Sequence, residues 1–206
     1  MIRAVIRRFA DRLAETPAAF HWLRKLPEGN YRETKRRIAA VRDDLGAPRV
    51  LDLGCGAGEY AELFDPALYL GMDIDPGYIA FARSRHPKHR FACADVTTWS
   101  GEENGFDLVL VNGVLHHLGD AEASAFLCNA HRLTRPGGTL LVIEDVRLDP
   151  PTFAARVVHF LDYGDHIRTL PRWQALVSAI TPIARSETYV SGICPYHLML
   201  CSKPVR

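Results

Sequence analysis

No apolar run in this 206-residue chain approaches the roughly 20 residues that a helix needs to cross a bilayer, so no transmembrane segment is expected. Its five cysteines, Cys55, Cys93, Cys128, Cys194 and Cys201, form no C-x-x-C pair. Zinc-ribbon and thioredoxin-type sites therefore lack their ligand spacing, and no metal is expected. The odd, scattered set suits a reducing compartment. The opening MIRAVIRRFADRLAETP is too interrupted by charge for a secretory leader, so the expected location is cytoplasmic. Low-complexity tracts and internal repeats are also missing, which excludes a solenoid. The formal net charge is only +1, against a whole-chain polyanion binder, and nucleic acid is not an expected partner.

What remains is ordinary globular material: 48% hydrophobic and 24% charged residues, in a length suited to one α/β domain with a full core. The charge is uneven. Before Val50, twelve Lys or Arg face six Asp or Glu, so this part carries 12 − 6 = +6 and the rest 1 − 6 = −5. Ile2, Val5, Ile6, Phe9 and Leu13 recur at helical spacing with Arg3, Arg7, Arg8 and Arg12 between them. This is a basic amphipathic helix over 2–13, packed on its own domain or lying on a membrane surface or partner. A second helix is predicted from Tyr31 to Leu45, before the break at Gly46-Ala-Pro48.

From there the pattern alternates. Short apolar runs at 50–53, 69–72, 91–94, 106–111 and 139–143 read as buried parallel strands. Helices are predicted from 59, over 76–85 with Pro76 in the first turn, over 121–133, and over 172–180, with a turn at 135–138. Two β-rich runs, 183–190 and 196–202, flank Ser191-Gly192 as an antiparallel hairpin at the sheet edge. The expected fold is a doubly wound, seven-stranded, mostly parallel α/β sheet in a single domain. It divides into an N-terminal helical cap (1–47), a cofactor-binding core (48–144), an acceptor-side insertion (145–171) and a C-terminal helix and hairpin (172–206).

Val50-Leu-Asp52-Leu-Gly54-Cys55-Gly56-Ala-Gly58-Glu59-Tyr60 runs a strand into a glycine-rich turn. Ligands of such sheets bind beyond the carboxyl ends of the strands. A phosphate-binding P-loop needs a Lys after its last glycine, and none is here. A dinucleotide fingerprint needs a glycine where Glu59 stands. G-x-G-x-G between Asp52 and Glu59 instead suits a cofactor carrying positive charge. Asp73 and Asp95 end the next two strands, which sets three carboxylates along one rim. The plainer reading is that each caps the turn behind it.

Residues 50–60 resemble motif I of the class I, Rossmann-like S-adenosylmethionine (SAM)-dependent methyltransferases, small-molecule type, and the similarity runs from about Arg49 to Glu144. The resemblance implies SAM as cofactor, held by Asp52, Gly54, Cys55, Gly56, Gly58 and Tyr60. Asp73 falls on the ribose-binding acid and Asp95 on the acceptor of the adenine amino group. Ile74 and Val96 flank the adenine, and Asn112 and Gly113 lie beside the methionine moiety. It also implies methyl transfer to a small-molecule acceptor. Oxygen is the first expectation and carbon, on a small or lipid-like molecule, the second; SAM binding without transfer is the alternative. A hydroxyl acceptor needs a base, for which His116, His117 and His166 are candidates. Tyr31, Tyr163, His166, Arg168 and Tyr196 are candidate acceptor contacts. The Asn/Asp-Pro-Pro-Tyr element of amino-methylating DNA and glutamine enzymes is missing, since Asn112-Gly-Val-Leu115 stands in its place.

Overall fold

The computed structural model describes residues 27–101, 103–147 and 166–205. The 2–13 helix, Tyr163 and most of the 145–171 insertion lie outside them. One seven-stranded sheet runs in the order β3-β2-β1-β4-β5-β7-β6. Its strands are β1 (Val50–Leu53), β2 (Tyr69–Asp73), β3 (Arg90–Cys93), β4 (Phe106–Asn112), β5 (Thr134–Asp145), β6 (Ile183–Ser191) and β7 (Cys194–Ser202). The first five are mutually parallel, while β7 pairs antiparallel with both β5 and β6. The sheet reverses between β1 and β4, the place where such folds open a crevice.

Among the described residues, four α-helices cover the faces: α1 (Arg32–Leu45), α2 (Pro76–Arg85), α3 (Asp120–Leu133) and α4 (Leu170–Ser178). Strand alternation sorts the core into two layers. Leu108 and Leu110 of β4 pack with Ile38 of α1 and Ile79 of α2. Val109 and Val111 pack with Leu127 of α3 and Trp173 of α4. The helix starts follow local chemistry. Pro76 opens α2, and the Asp75 carboxylate accepts from Gly77 N (2.7 Å) and Tyr78 N (3.1 Å).

Two expectations need correction. No α-helix follows the glycine turn; the chain makes one 3-10 turn, Ala61–Leu63, and goes on to β2. Pro66 explains this, since it removes an N–H donor and pushes Asp65 towards extended backbone. The expected turn at 135–138 is absorbed into β5, which bulges against β4 between the pairs Phe106↔Thr134 and Leu108↔Thr139.

Candidate active site

A cavity of about 370 Å³ opens over the carboxyl ends of β1, β2 and β4 and the start of β7. Its floor is the turn after β1. Gly54 N and Cys55 N both donate to Met72 O (2.8 and 2.9 Å), which folds the turn back over β2. Gly54 has φ +74°, and a Cβ there would meet Val114 Cβ at 2.8 Å. Gly56 has φ +49° and open space where a Cβ would stand. A side chain is thus excluded at one by contact and at the other by backbone conformation.

Asp73 sits at the lip of this turn. Its Oδ2 accepts from Gly56 N (2.8 Å) and its Oδ1 from Asp75 N (3.0 Å), joining the turn after β1 to the turn after β2. Burial raises its carboxyl above the ordinary aspartate value. Ile74 beside it is 67% exposed on the cavity rim. Cys55, Gly56, Tyr60, Asn112 and Gly113 join the lining, and Asn112 Oδ1 is buried with no hydrogen-bond partner among the described residues.

The other expected cofactor residues stand apart from the cavity wall. Asp52 is buried under the turn, where it accepts from Tyr69 Oη (2.7 Å), and burial pushes its pKa up to about 7. Leu51 and Leu53 face the α3/α4 layer, so strand alternation turns Asp52 to the opposite face rather than up to the rim. Gly58 has φ +72°, and a Cβ there would meet His86 and Phe91 at 3.1 Å. Asp95 is exposed and accepts from Thr97 N (2.8 Å) and Thr97 Oγ1 (2.7 Å), while Val96 enters the α3/α4 layer.

The turn after β4 separates the two adjacent histidines. His117 lines the cavity. His116 is fully buried with Nδ1 at 2.8 Å from Glu144 Oε2, which makes it a brace inside the fold rather than a group facing the cavity. Glu144 Oε1 also accepts from Val114 N (3.0 Å) and Leu115 N (2.7 Å), so one buried carboxylate serves three donors of this turn. Arg168 holds the turn from the other side. It donates to Leu115 O (3.0 Å) and Leu118 O (2.8 Å), and pairs with Asp120 at 2.8 Å. That role takes Arg168 away from the expected anchoring of an acceptor. His166 is exposed, outside the cavity lining, and its backbone N donates to His116 O (3.0 Å).

Tyr31 and Tyr196 both reach the cavity, as expected. Sequence reasoning missed Glu28, which also lines it, and Glu144, which shapes its wall. Glu144 is the next-to-last residue of β5, the strand beside β4, and a charged residue following a run of buried apolar ones was the available signal. Glu28 carried none.

Residues 50–138 match a family model described as a methyltransferase domain. The chain is 37% identical over 130 residues to the trans-aconitate 2-methyltransferase of Methylobacterium radiotolerans, covering 59% of this chain and 49% of that one. It is 30% identical over 144 residues to the demethylmenaquinone methyltransferase of Renibacterium salmoninarum, covering 68% and 58%. The chain spans about half the length of the first relatives that it matches. In fold it resembles the magnesium protoporphyrin IX methyltransferase of Synechocystis PCC 6803, solved with bound SAH, with a TM-score of 0.72, 17% identity and coverage of 97% and 99%. The glycine turn, the acid at the end of β2 and these matches agree: residues 50–138 resemble the methyltransferase domain of the class I, Rossmann-like SAM-dependent enzymes.

Proposed function

We propose that this protein transfers a methyl group from SAM to a small-molecule acceptor, with a hydroxyl oxygen as the receiving atom. One observation carries the reading: the glycine turn with Asp73 and the imidazole of His117 line one and the same cavity. The residues fit the cofactor. Asp73 supplies a carboxylate for a ribose diol, Ile74 an apolar edge for adenine, and the backbone at Cys55 and Gly56 a side-chain-free floor. Asn112 Oδ1, buried and unpartnered among the described residues, offers an acceptor to a ligand donor. Asp95, exposed just beyond the end of β3, would serve the adenine amino group, whereas Val96 is buried in the core.

When bound, SAM supplies a methyl carbon on a sulfonium, already strongly electrophilic, so the protein's work is alignment and proton removal. His117 takes the proton from the acceptor hydroxyl. Glu144 and Arg168 fix its turn from the N–H and carbonyl sides, so the imidazole needs little reorganisation on binding. Relatives named for trans-aconitate and demethylmenaquinone support a small-molecule acceptor.

Calorimetric titration with SAM and with NADH tests the assignment. SAM is expected to bind and NADH is not. Asp73→Ala is expected to weaken SAM by at least about tenfold, since buried hydrogen bonds are left unmade. Binding of NADH alone, or unaltered SAM affinity in Asp73→Ala, would overturn it.

A further inference from the structure

β6 ends the sheet, and one of its edges carries no neighbouring strand among the described residues. Its partner β7 shows which backbone groups are left open there. Val146 N, just past β5, donates to Pro195 O (3.1 Å), so the Pro195 carbonyl points towards β5 and away from β6. Across the hairpin, Pro195 faces Val190 and Tyr196 faces Tyr189. In an antiparallel pair, residues that exchange hydrogen bonds with the partner alternate with residues that turn outward. Tyr189, Glu187 and Arg185 therefore bond β7, while Val190, Thr188 and Ser186 turn their N–H and C=O to the open edge. All three are exposed. Such an edge is a template for another strand.

Two features restrict what can pair there. The first is length. The ladder with β7 shifts between Ile183 and Arg185, and Pro182 before it has no N–H, so regular pairing spans Arg185 to Ser191, with Thr188 at its midpoint. The second is charge. Glu187 accepts from Arg37 of α1 (2.9 Å), and the Arg37 guanidinium lies 3.9 Å from the centre of the Tyr189 ring. One face of the strand thus presents a carboxylate and, two residues on, a ring topped by a cation. A second copy of β6, antiparallel about an axis at Thr188, sets each Glu187 opposite Tyr189 of the other copy. Each carboxylate then faces the other copy's Arg37, and opposite charges alternate across the axis. An axis at Glu187 would set the two carboxylates against each other. An axis at Ser186 would carry Thr188 onto Ala184, inside the bulge.

We propose that β6 is a self-association edge: two copies of the chain pair antiparallel across Thr188 and join their sheets into one. Ser186, Thr188 and Val190 of one copy meet Val190, Thr188 and Ser186 of the other, and each facing pair exchanges two backbone hydrogen bonds. Val190, 55% exposed in the single chain, is covered by this contact. The occupant is a second copy because the charge pattern at 187–189 is complementary to itself. No residue from 185 to 191 lines the cavity, so the contact uses no part of the site and does not draw on the methyl-transfer reading.

Sedimentation velocity on the full chain, from about 1 to about 200 µM, is the test, and a dimer that grows with concentration is expected. Ser186→Pro removes an outward N–H without touching the β7 ladder. It is expected to weaken association by at least about tenfold, with an unchanged far-UV circular dichroism spectrum. Cysteine reads the register. The background is a chain in which the exposed Cys93 and Cys128 are changed to Ser. There Thr188→Cys meets its own copy at a Cα separation of about 5.5 Å, within disulfide reach, and is expected to cross-link under diamide. Arg185→Cys faces Ser191 of the other copy and is expected not to. A chain that stays monomeric throughout the range would overturn the proposal. So would a dimer that Ser186→Pro leaves unchanged, a dimer in which Thr188→Cys does not cross-link, or cross-linking of Arg185→Cys as fast as Thr188→Cys. The two cysteine variants decide the matter should Ser186→Pro fail to fold.

Discussion

At the β1–β2 end of the cleft, the turn, Asp73, Ile74 and Asp75 come from one continuous stretch, Gly54 to Asp75. At the β4–β7 end, Glu28, His117 and Tyr196 come from three remote parts of the chain, and Glu144 and Arg168 steady the wall from two more. The first end is fixed by local backbone geometry: glycines, a short strand and an acid where the strand stops. The second depends on packing, because each of its side chains faces the cavity only after a hairpin, a strand end and a helix entry have met. This difference predicts a partition: changes at the first end alter cofactor affinity, and changes at the second alter turnover and acceptor choice.

The largest expected effect tests that partition directly. His117→Ala is expected to lower turnover by about a hundredfold or more with any acceptor that the wild-type chain methylates, the range for loss of a positioned base, while SAM affinity stays the same. Single-turnover kinetics beside calorimetry separates the two. If SAM affinity falls and single-turnover rate is retained, His117 belongs to the cofactor end and the partition fails.

Next in size is Glu144→Ala. It strands one buried and one part-buried N–H donor and removes a carboxylate from beside a buried imidazole, so a stability loss of about 3–5 kcal/mol is expected. Urea unfolding measures it. Glu144→Gln keeps an acceptor for the N–H groups and should recover much of the loss. Equal losses in the two variants would mean that the carboxylate's charge, not its hydrogen bonds to the turn, carries the effect.

These two positions also show how far the sequence could be read. The strand order, the two-sided core and the glycine turn follow from periodicity and from residues whose conformational demands are local. Asp73 was legible because it stands where a strand ends. Asp52 was placed on the same rim, although in-strand alternation with Leu51 and Leu53 turns it to the α1/α2 layer. His116 and His117 are adjacent and chemically identical; only the three bonds drawn by Glu144 decide which one is buried. Glu28, in Pro27-Glu-Gly-Asn30, looks like a solvated turn acid. Its burial comes from residues 191–196, and no local pattern encodes contact across that distance. The missing helix after the glycine turn was encoded nearby, in Pro66, and the apolar pattern hid it.

The smallest effect belongs to the cofactor end and concerns pH. Asp52 has an ordinary value of 3.8, and burial pushes it up to about 7 despite the bond from Tyr69. Between these values the folded state holds a proton that the unfolded state has released. Stability from this group is therefore full below the unfolded value and is lost as pH rises through about 7. Linkage gives a loss of about 2–3 kcal/mol between about pH 5 and pH 8. Asp52→Asn still accepts from the Tyr69 hydroxyl and does not titrate, so its stability should lack that part of the decline, and the variant should gain on the wild type as pH rises. Urea unfolding at the two pH values reads the difference. Because Asp52 lies beneath the turn and not on the cavity wall, its SAM affinity is expected to match the wild type at about pH 6, where both side chains are uncharged. A clear affinity loss there, with the fold intact, would bring Asp52 back to the rim and shift the boundary between scaffold and site by one strand residue.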